Sequence, residues 1–429
     1  MAYHPRENWD PRTRRRLYTR RDFLRTAGVI GLAYPTLGAL LAACGGGDDA
    51  GDVEILIGTP GNPVTQPIVD SNPMIASGLQ AESGPLRVYN WADYINPDVL
   101  PLAEEALGVD IEVTTFFNEE EALQKLQSAE VNFDVWFPTA EIVSKSVAGE
   151  LIQPLNMDYI PNLANVWPVL QDPFYDQGSQ YTVPYVLYQT GIGWRVDMAD
   201  DEDILGLENP WDVFWNPKYN GVIGMYDDFK ETLAAAMFRN GVADPRSASA
   251  GDVEAAAEAL TELVDLVNIR YTIDGAYVGI PEGRFAVHHA WSGDLVNAQY
   301  YFPEDADVSV IRYLWPAKAE NSEAHAAISN DTMTVLKGAE NPVLAHQFLD
   351  WMLDEANALE NFGWLGYQPP QLGIDPDTLV ADEWVAEYIS TAIVRQEDFS
   401  NPRGYVPVQL DPGTEATWLD AWSTVKSGG

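Results

Sequence analysis

Apolar and polar positions recur with two different periods along this chain, and the change from one to the other marks out its elements. Leu86-Arg87-Val88-Tyr89 is strand-like, Asp98 to Leu107 takes helical spacing, and Asp110 to Phe116 alternates again. Asn118 to Ala129 has helical spacing behind an asparagine cap, and Phe133 to Phe137 is a short apolar run. Together these predict a βαβαβ opening. Strands alternating with helices predict an α/β fold, with a mostly parallel sheet covered on both faces and ligands bound outside the carboxyl ends of its strands. Ser249 to Val267 predicts an amphipathic helix with Val253, Ala257, Leu260, Leu263, Val264 and Val267 on one stripe. Pro342 to Leu353 and Thr414 to Val425 also read as helices, and no internal repeat of solenoid length is present.

The first 43 residues follow a different grammar. A basic segment (Arg6, Arg12, Arg14, Arg15, Arg16) precedes Arg20-Arg21, an uncharged stretch from Ala27 to Ala43 broken by Pro35, and small residues before Cys44. That order predicts a secretory leader rather than a transmembrane span. Leu41-Ala42-Ala43-Cys44 resembles the bacterial lipoprotein box, and the paired arginines resemble a Tat signal. The resemblance implies export of a folded chain, lipidation of Cys44, and an extracytoplasmic protein, periplasmic or on the cell surface, anchored to the membrane. Residues 44–83 are rich in Gly, Asp, Pro and Asn, with one apolar piece at Val53-Glu54-Ile55-Leu56-Ile57, and read as a flexible tether.

Removing the leader takes away eight arginines and three acids, so the formal charge moves from −41 to −46. So acidic a chain argues against nucleic acid and anionic-membrane contacts, which need clustered Lys and Arg, and favours cationic small molecules. The alternative reading is that the acidity serves only solubility or salt tolerance. Cys44 is the single cysteine, so no internal disulfide is available. Core burial must hold about 386 residues, a length that usually divides into two domains. Fourteen Trp, twenty Tyr and fourteen Phe leave aromatic surface for lining a cleft.

No catalytic signature is present: no thiol nucleophile, GxSxG, Walker loop, HExxH or dinucleotide glycine pattern. His288-His289 is the only histidine pair, and neighbours on a strand point to opposite faces, so a shared metal is not expected. The chain is read as a non-enzyme without cofactor or metal. What recurs is an aromatic beside a carboxylate: Trp91-Ala92-Asp93-Tyr94, Tyr226-Asp227-Asp228-Phe229 with Glu231 following, and Trp291-Ser292-Gly293-Asp294. This combination suits an organic cation. Aromatic faces contribute roughly 0.5–2 kcal/mol per cation–π contact, and a carboxylate supplies a charge-assisted hydrogen bond.

The order of these segments resembles the spermidine/putrescine-binding proteins of polyamine ABC importers. Leu86-Arg87-Val88-Tyr89-Asn90-Trp91-Ala92-Asp93-Tyr94-Ile95 is similar to the family's opening strand. Phe133-Asp134-Val135-Trp136-Phe137-Pro138-Thr139, Val183-Pro184-Tyr185, Trp211-Asp212 to Lys218-Tyr219-Asn220-Gly221, and Trp291-Ser292-Gly293-Asp294 follow in family order, so the resemblance covers roughly residues 86–429. It implies a two-lobed, type II periplasmic-binding-protein-like α/β fold with crossing strands as hinge. Lobe one would comprise residues 84–188 plus 292–372, and lobe two 189–291 plus 373–429. The implied aromatic walls are Trp91, Tyr94, Trp291 and Tyr367, and the implied amine anchors are Asp93, Asp228 or Glu231, Asp294 and Asp331. Ala92 stands where relatives carry Ser or Thr, and Ser329-Asn330 where they carry aromatics. Glu141 stands near a family aromatic position and is an additional candidate anchor, or a solvated helix start.

The resulting expectation is a lipid-anchored receptor that captures a polyamine by lobe closure and delivers it to an ABC permease and its ATPase, as a monomer. The same fold tuned to an opine, sugar or phosphonate is the first alternative. A secreted hydrolase using Asp228 with Glu231 as paired carboxylates is the second. Convergence of Trp91, Asp294 and Asp331 with that pair in one cleft is what ligand capture requires and a hydrolase does not.

Overall fold

The structure is a computed structural model, described here for residues 55–128 and 132–428; the leader, Cys44 and the start of the tether lie outside the described residues. The chain enters its sheet through β1 (Leu86–Trp91), α1 (Val99–Leu107), β2 (Ile111–Phe116), α2 (Glu119–Ser128) and β3 (Val135–Trp136). β2 lies parallel to β1 from Leu86↔Ile111 to Trp91↔Phe116, and β3 joins the other edge of β1 in parallel. The expected asparagine cap is present, with Asn118 Oδ1 accepting from the Glu121 N–H at 3.1 Å.

After α3 (Val143–Ala148) the chain forms β4 (Val183–Arg195), a thirteen-residue strand buried along all but its last position. The second half of the molecule adds β5 (Ile223–Met225), α4 (Phe229–Arg239), α5 (Ala250–Val267), β6 (Arg270–Tyr271), β7 (Val287–Trp291), α6 (Ser292–Asn297) and β8 (Ile311–Leu314). β9 (Ala326–Val335), α7 (Pro342–Met352), α8 (Glu355–Leu365), β10 (Gly404–Tyr405) and α9 (Pro412–Ser427) complete the fold. The strand order is β2-β1-β3-β9-β4-β7-β5-β6, with β8 on β4 and β10 on β9.

Two parallel sets, β2-β1-β3 and β7-β5-β6, form the sheets of two lobes. β4 and β9 cross between them. β4 pairs antiparallel with β9 over Val183–Gln189, and from Thr190 onward with β7 and β8. β9 pairs with β3 at its carboxyl end and with β10 at its start. β8, within the 292–372 block expected in lobe one, pairs with Ile192–Arg195 on the edge of β4 opposite β7.

The stripe on α5 buries Val253, Ala257, Leu260, Leu263 and Val267, contributing roughly 1.5–3 kcal/mol for each larger side chain. Ala256 joins it, whereas Val264 is 44% exposed because it lies one residue beyond the packed face. Ser249 and Asp252 close a reciprocal capping box at the start of this helix.

Residues 55–83, read from composition as part of a flexible tether, lie along the first lobe. The Gln66 Nε2 donates to the Tyr175 carbonyl at 2.9 Å and the Asn72 Nδ2 to the Ile152 carbonyl at 2.8 Å. The Tyr181 hydroxyl donates to the Pro67 carbonyl, and the Asn156 Nδ2 to that of Ile75. Composition missed this because the segment is held by backbone groups meeting polar side chains, not by a buried apolar face.

Candidate functional site

A cleft of about 1050 Å³, counting the part open to solvent, lies where the carboxyl ends of β1, β2 and β7 converge with the start of α4. Trp91, Asp93 and Tyr94 reach it from the end of β1, and Glu141 from the turn before α3. Asp228 and Glu231 come from the start of α4, and Trp291 and Asp294 from the β7–α6 junction. Asp331 on β9 and Tyr367 after α8 complete the ten positions read from the sequence, and all ten line this one cleft. Trp91, Asp294 and Asp331 therefore converge with the Asp228–Glu231 pair.

Local structure explains how each group is held. Asp93 has φ 53°, in the left-handed region that Asp tolerates better than most side chains, which turns the chain sharply at the end of β1. Asp228 caps α4, with Oδ1 accepting from the N–H groups of Lys230 and Glu231 at 2.9 and 3.0 Å. Glu231 Oε1 accepts from Trp291 Nε1 at 2.8 Å, and the Trp291 ring stacks on Tyr226 at 4.0 Å. Asp294 is gripped by two tyrosines: the Tyr367 hydroxyl donates to Oδ1 at 2.6 Å and the Tyr226 hydroxyl to Oδ2 at 2.7 Å. Gly293 permits this arrangement, since a Cβ there would fall 2.2 Å from the Tyr367 ring. Asp331 Oδ2 accepts from the Tyr94 hydroxyl at 2.6 Å, whereas Oδ1 is buried without a hydrogen-bond partner.

The walls are aromatic. Tyr94 meets Tyr367 edge-on at 5.0 Å, Tyr188 meets Trp291 at 6.2 Å, and Trp91 leans on Phe116 at 4.6 Å. The charge is lopsided: eight carboxylates line the cleft against, among the described residues, one cation, Lys230. Lys230 Nζ lies 3.3 Å from Glu141 Oε2, so the Glu141 carboxylate already has an ion partner.

Burial dominates the titration of these acids. It pushes Asp331 and Glu231 up to about 8, and Asp294 and Glu119 up to about 7. Asp93, Glu120 and Glu141 are raised by the same cause. Lys230 is held well above its ordinary value: burial opposes its charge, but Glu141, Glu119, Glu120 and Asp228 outweigh that effect. Acids raised in this way by burial in one cleft are groups that a bound cation would favour in their charged form.

Sequence reasoning missed Phe116, Phe117, Glu119, Glu120, Tyr188 and Lys230, which line the same cleft, as does Tyr277. Glu119-Glu120-Glu121 reads as an ordinary acidic first turn complementing a helix dipole. Its place directly after a strand's carboxyl end was the available signal. His288 and His289 are fully buried on β7, His288 titrating near 3 because burial disfavours its charge. No group of three potential metal ligands occurs among the described residues.

Two α/β lobes, crossing strands and a cleft at the strands' carboxyl ends define the type II architecture of solute-binding proteins. The family model described as bacterial extracellular solute-binding protein matches residues 101–389, well over half of the chain, and the chain belongs to that family. Among curated relatives it is 26% identical to the putrescine-binding periplasmic protein PotF of Escherichia coli over 371 residues, 82% of this chain and 93% of that one. It is 27% identical to the putrescine/cadaverine-binding protein of Pseudomonas aeruginosa over 312 residues, 71% of this chain and 84% of that one. Of solved structures, the Tp0655 (TpPotD) lipoprotein of Treponema pallidum aligns with a TM-score of 0.65 at 20% identity, covering 79% of this chain and 98% of that one. The PotD protein of Streptococcus pneumoniae aligns with a TM-score of 0.61 at 22% identity, covering 80% and 98%. By their names the curated relatives are binding proteins, not enzymes. No helix among the described residues is long and apolar enough to cross a membrane.

Proposed function

We propose that this protein is an extracytoplasmic receptor that binds a polyamine in the cleft between its lobes and delivers it to an ABC permease and its ATPase. The carrying observation is the cleft itself, with eight carboxylates facing one lysine between aromatic walls. Ammonium ends would pair with Asp331, Asp294, Glu231 and Asp93. The methylenes would lie against Trp91, Tyr94, Trp291 and Tyr367, each buried CH₂ contributing on the order of 0.8 kcal/mol. Names of the curated relatives support the same ligand class. An excess of carboxylates disfavours an anionic solute. Asp228 spends Oδ1 on capping α4, and Glu231 accepts from Trp291 and Thr190. Both bonds to Glu231 fall on Oε1, which leaves Oε2 for a ligand ammonium, so the pair suits amine capture better than acid–base chemistry.

Lobe one would comprise residues 84–188 and lobe two would begin at 189. Pairing of β8 with the far half of β4 favours drawing the return crossing at β9 rather than at Ser292. Contacts from a ligand to both lobes would favour the closed state. The twin-arginine leader and Cys44 support Tat export and lipid anchoring.

Calorimetric titration of the full-length protein with putrescine, spermidine and spermine, with a neutral disaccharide as control, tests the reading. One amine is expected to bind at micromolar affinity or tighter, and Asp331→Asn to weaken it by roughly 2–5 kcal/mol, because an ammonium is then left unpaired in a desolvated cleft. Silence with all three amines, or binding of the disaccharide, overturns it.

A further inference from the structure

The carboxylates of the cleft differ in what already pairs with them. At one end Glu141 meets Lys230 Nζ at 3.3 Å, and Glu119 and Glu120 attract the same ammonium. Lys230 is no surface chain: its side chain is 16% exposed, and that of Glu141 is 11% exposed. Asp331 sits at this same end, its backbone bridged to Thr139, whose hydroxyl donates to Glu119, and in the field of Glu119 and Glu141. At the other end, no ion pair among the described residues reaches Asp294 or Asp93. Asn297 Oδ1, three residues on from Asp294 along α6, is a buried acceptor without a partner on the cleft wall. One end already holds an ammonium, and the other has tyrosine donors but no cation among the described residues.

A lysine head is the same chemical group as the end of an alkylamine. Tethered to α4, it has an effective concentration that a dissolved amine must exceed to replace it. Expelling it would break a mostly buried ion pair, which is costly when the partner acid stays behind.

We propose that Lys230 is a built-in ammonium filling the acid subsite of Glu119, Glu120 and Glu141, so that the cleft admits a diamine from the Asp294 end and discriminates against longer polyamines. The proposal rests on the amine-receptor reading above. A third ammonium would need the place of Lys230 Nζ, and Lys230 thereby acts as a specificity-determining residue.

The test compares full-length wild type with Lys230→Ala in two measurements. Calorimetry with putrescine and spermidine should show wild type preferring putrescine. Lys230→Ala should shift that ratio toward spermidine by at least about tenfold. Thermal unfolding with ethylammonium chloride, against sodium chloride at equal ionic strength, should show stabilisation of Lys230→Ala beyond that of wild type, since the small cation refills the vacated subsite. The double variant Lys230→Ala/Glu141→Gln leaves fewer orphaned acids. It carries the same comparison if the single variant does not fold, with a smaller ethylammonium response. An unchanged amine ratio, or an equal ethylammonium response in variant and wild type, overturns the Lys230 assignment. A wild type silent to both amines overturns the receptor reading and the selectivity drawn from it, a result distinguishable by whether ethylammonium still acts on the variant alone.

Discussion

Two lysines meet glutamates inside this molecule, and their surroundings give them different work. Lys145 on α3 contacts both oxygens of Glu415 on α9, at 3.0 and 3.3 Å, with side chains 2% and 5% exposed. Lys230 touches Glu141 through one oxygen at 3.3 Å, beside the cleft, with Glu119, Glu120 and Asp228 in its field. The first pair is a contact shut away from water, in which one carboxylate takes the ammonium through both oxygens, although the charge of Lys145 is also felt at Glu120. The second has more acid than base and a route to solvent, so an outside cation can compete for it. Identical groups become a brace in one place and a tunable subsite in the other, according to access and local charge balance.

The sharpest way to break this contrast is to delete the brace. Lys145→Ala leaves Glu415 buried and unpaired, an expected loss of about 3–5 kcal/mol in urea unfolding of the full-length protein. Lys145→Met/Glu415→Leu, which removes both charges, should recover most of that loss. Amine selectivity should stay as in wild type. A single variant within about 0.5 kcal/mol of wild type would make the pair no stronger than an exposed one, and the contrast with Lys230 would fall.

The sequence disclosed the parts of this arrangement that follow a period. β1-α1-β2-α2-β3 was legible because each element buries one face and exposes the other, which leaves a trace of alternation or helical spacing. β4 left none, since it is buried on both faces and its crossing role follows from pairing partners far away in the chain. β9 is harder still: Ser329-Asn330-Asp331-Thr332 reads as a polar loop, yet every one of these side chains is buried. Asn330 Nδ2 donates to the Tyr175 hydroxyl and the Thr332 hydroxyl to the Pro138 carbonyl. Such satisfaction depends on residues about 155 and 194 positions away, which no local pattern contains. The ten site positions were named from aromatic–acid pairing and family likeness. Lys230 was passed over although it is the one base in Tyr226-Asp227-Asp228-Phe229-Lys230-Glu231, because a lone lysine among acids reads as a solvated helix start.

A second, intermediate effect concerns pH and separates the cleft from the brace. Asp331 and Glu231 titrate near 8, and Asp294 and Glu119 near 7, against ordinary values near 4. Between these values the folded protein holds protons that the unfolded chain has released. The contribution of these four acids to stability therefore falls as pH rises from about 4 to about 8. A bound ammonium favours the ionised acids, so amine binding should release protons and tighten with rising pH between about 6 and 8. Thermal unfolding across that range, without and with putrescine, reads the first effect and its reversal. Calorimetry in two buffers of different ionisation heat counts the protons. Affinity that is flat from about pH 6 to 8 would place these acids outside the ligand's grip.

The smallest expected effect decides to which end of the cleft Glu231 belongs. It follows Lys230 on α4 yet accepts from Trp291 Nε1 at 2.8 Å and from the Thr190 hydroxyl at 3.2 Å, rather than pairing with that lysine. Trp291→Phe keeps an aromatic face against Tyr226 and removes only the indole donor. The Glu231 carboxylate then loses a hydrogen bond that favours its ionised form, so its titration should move further upward. If Glu231 holds a ligand nitrogen, calorimetry at neutral pH should show amine binding weakened by about 1 kcal/mol, with most of the loss recovered as pH is raised. Trp291→Leu removes the ring as well and should cost roughly 0.5–2 kcal/mol more. Wild-type affinity in Trp291→Phe would assign Glu231 to the scaffold that orients Trp291, leaving Asp331 and Asp294 to hold the cation.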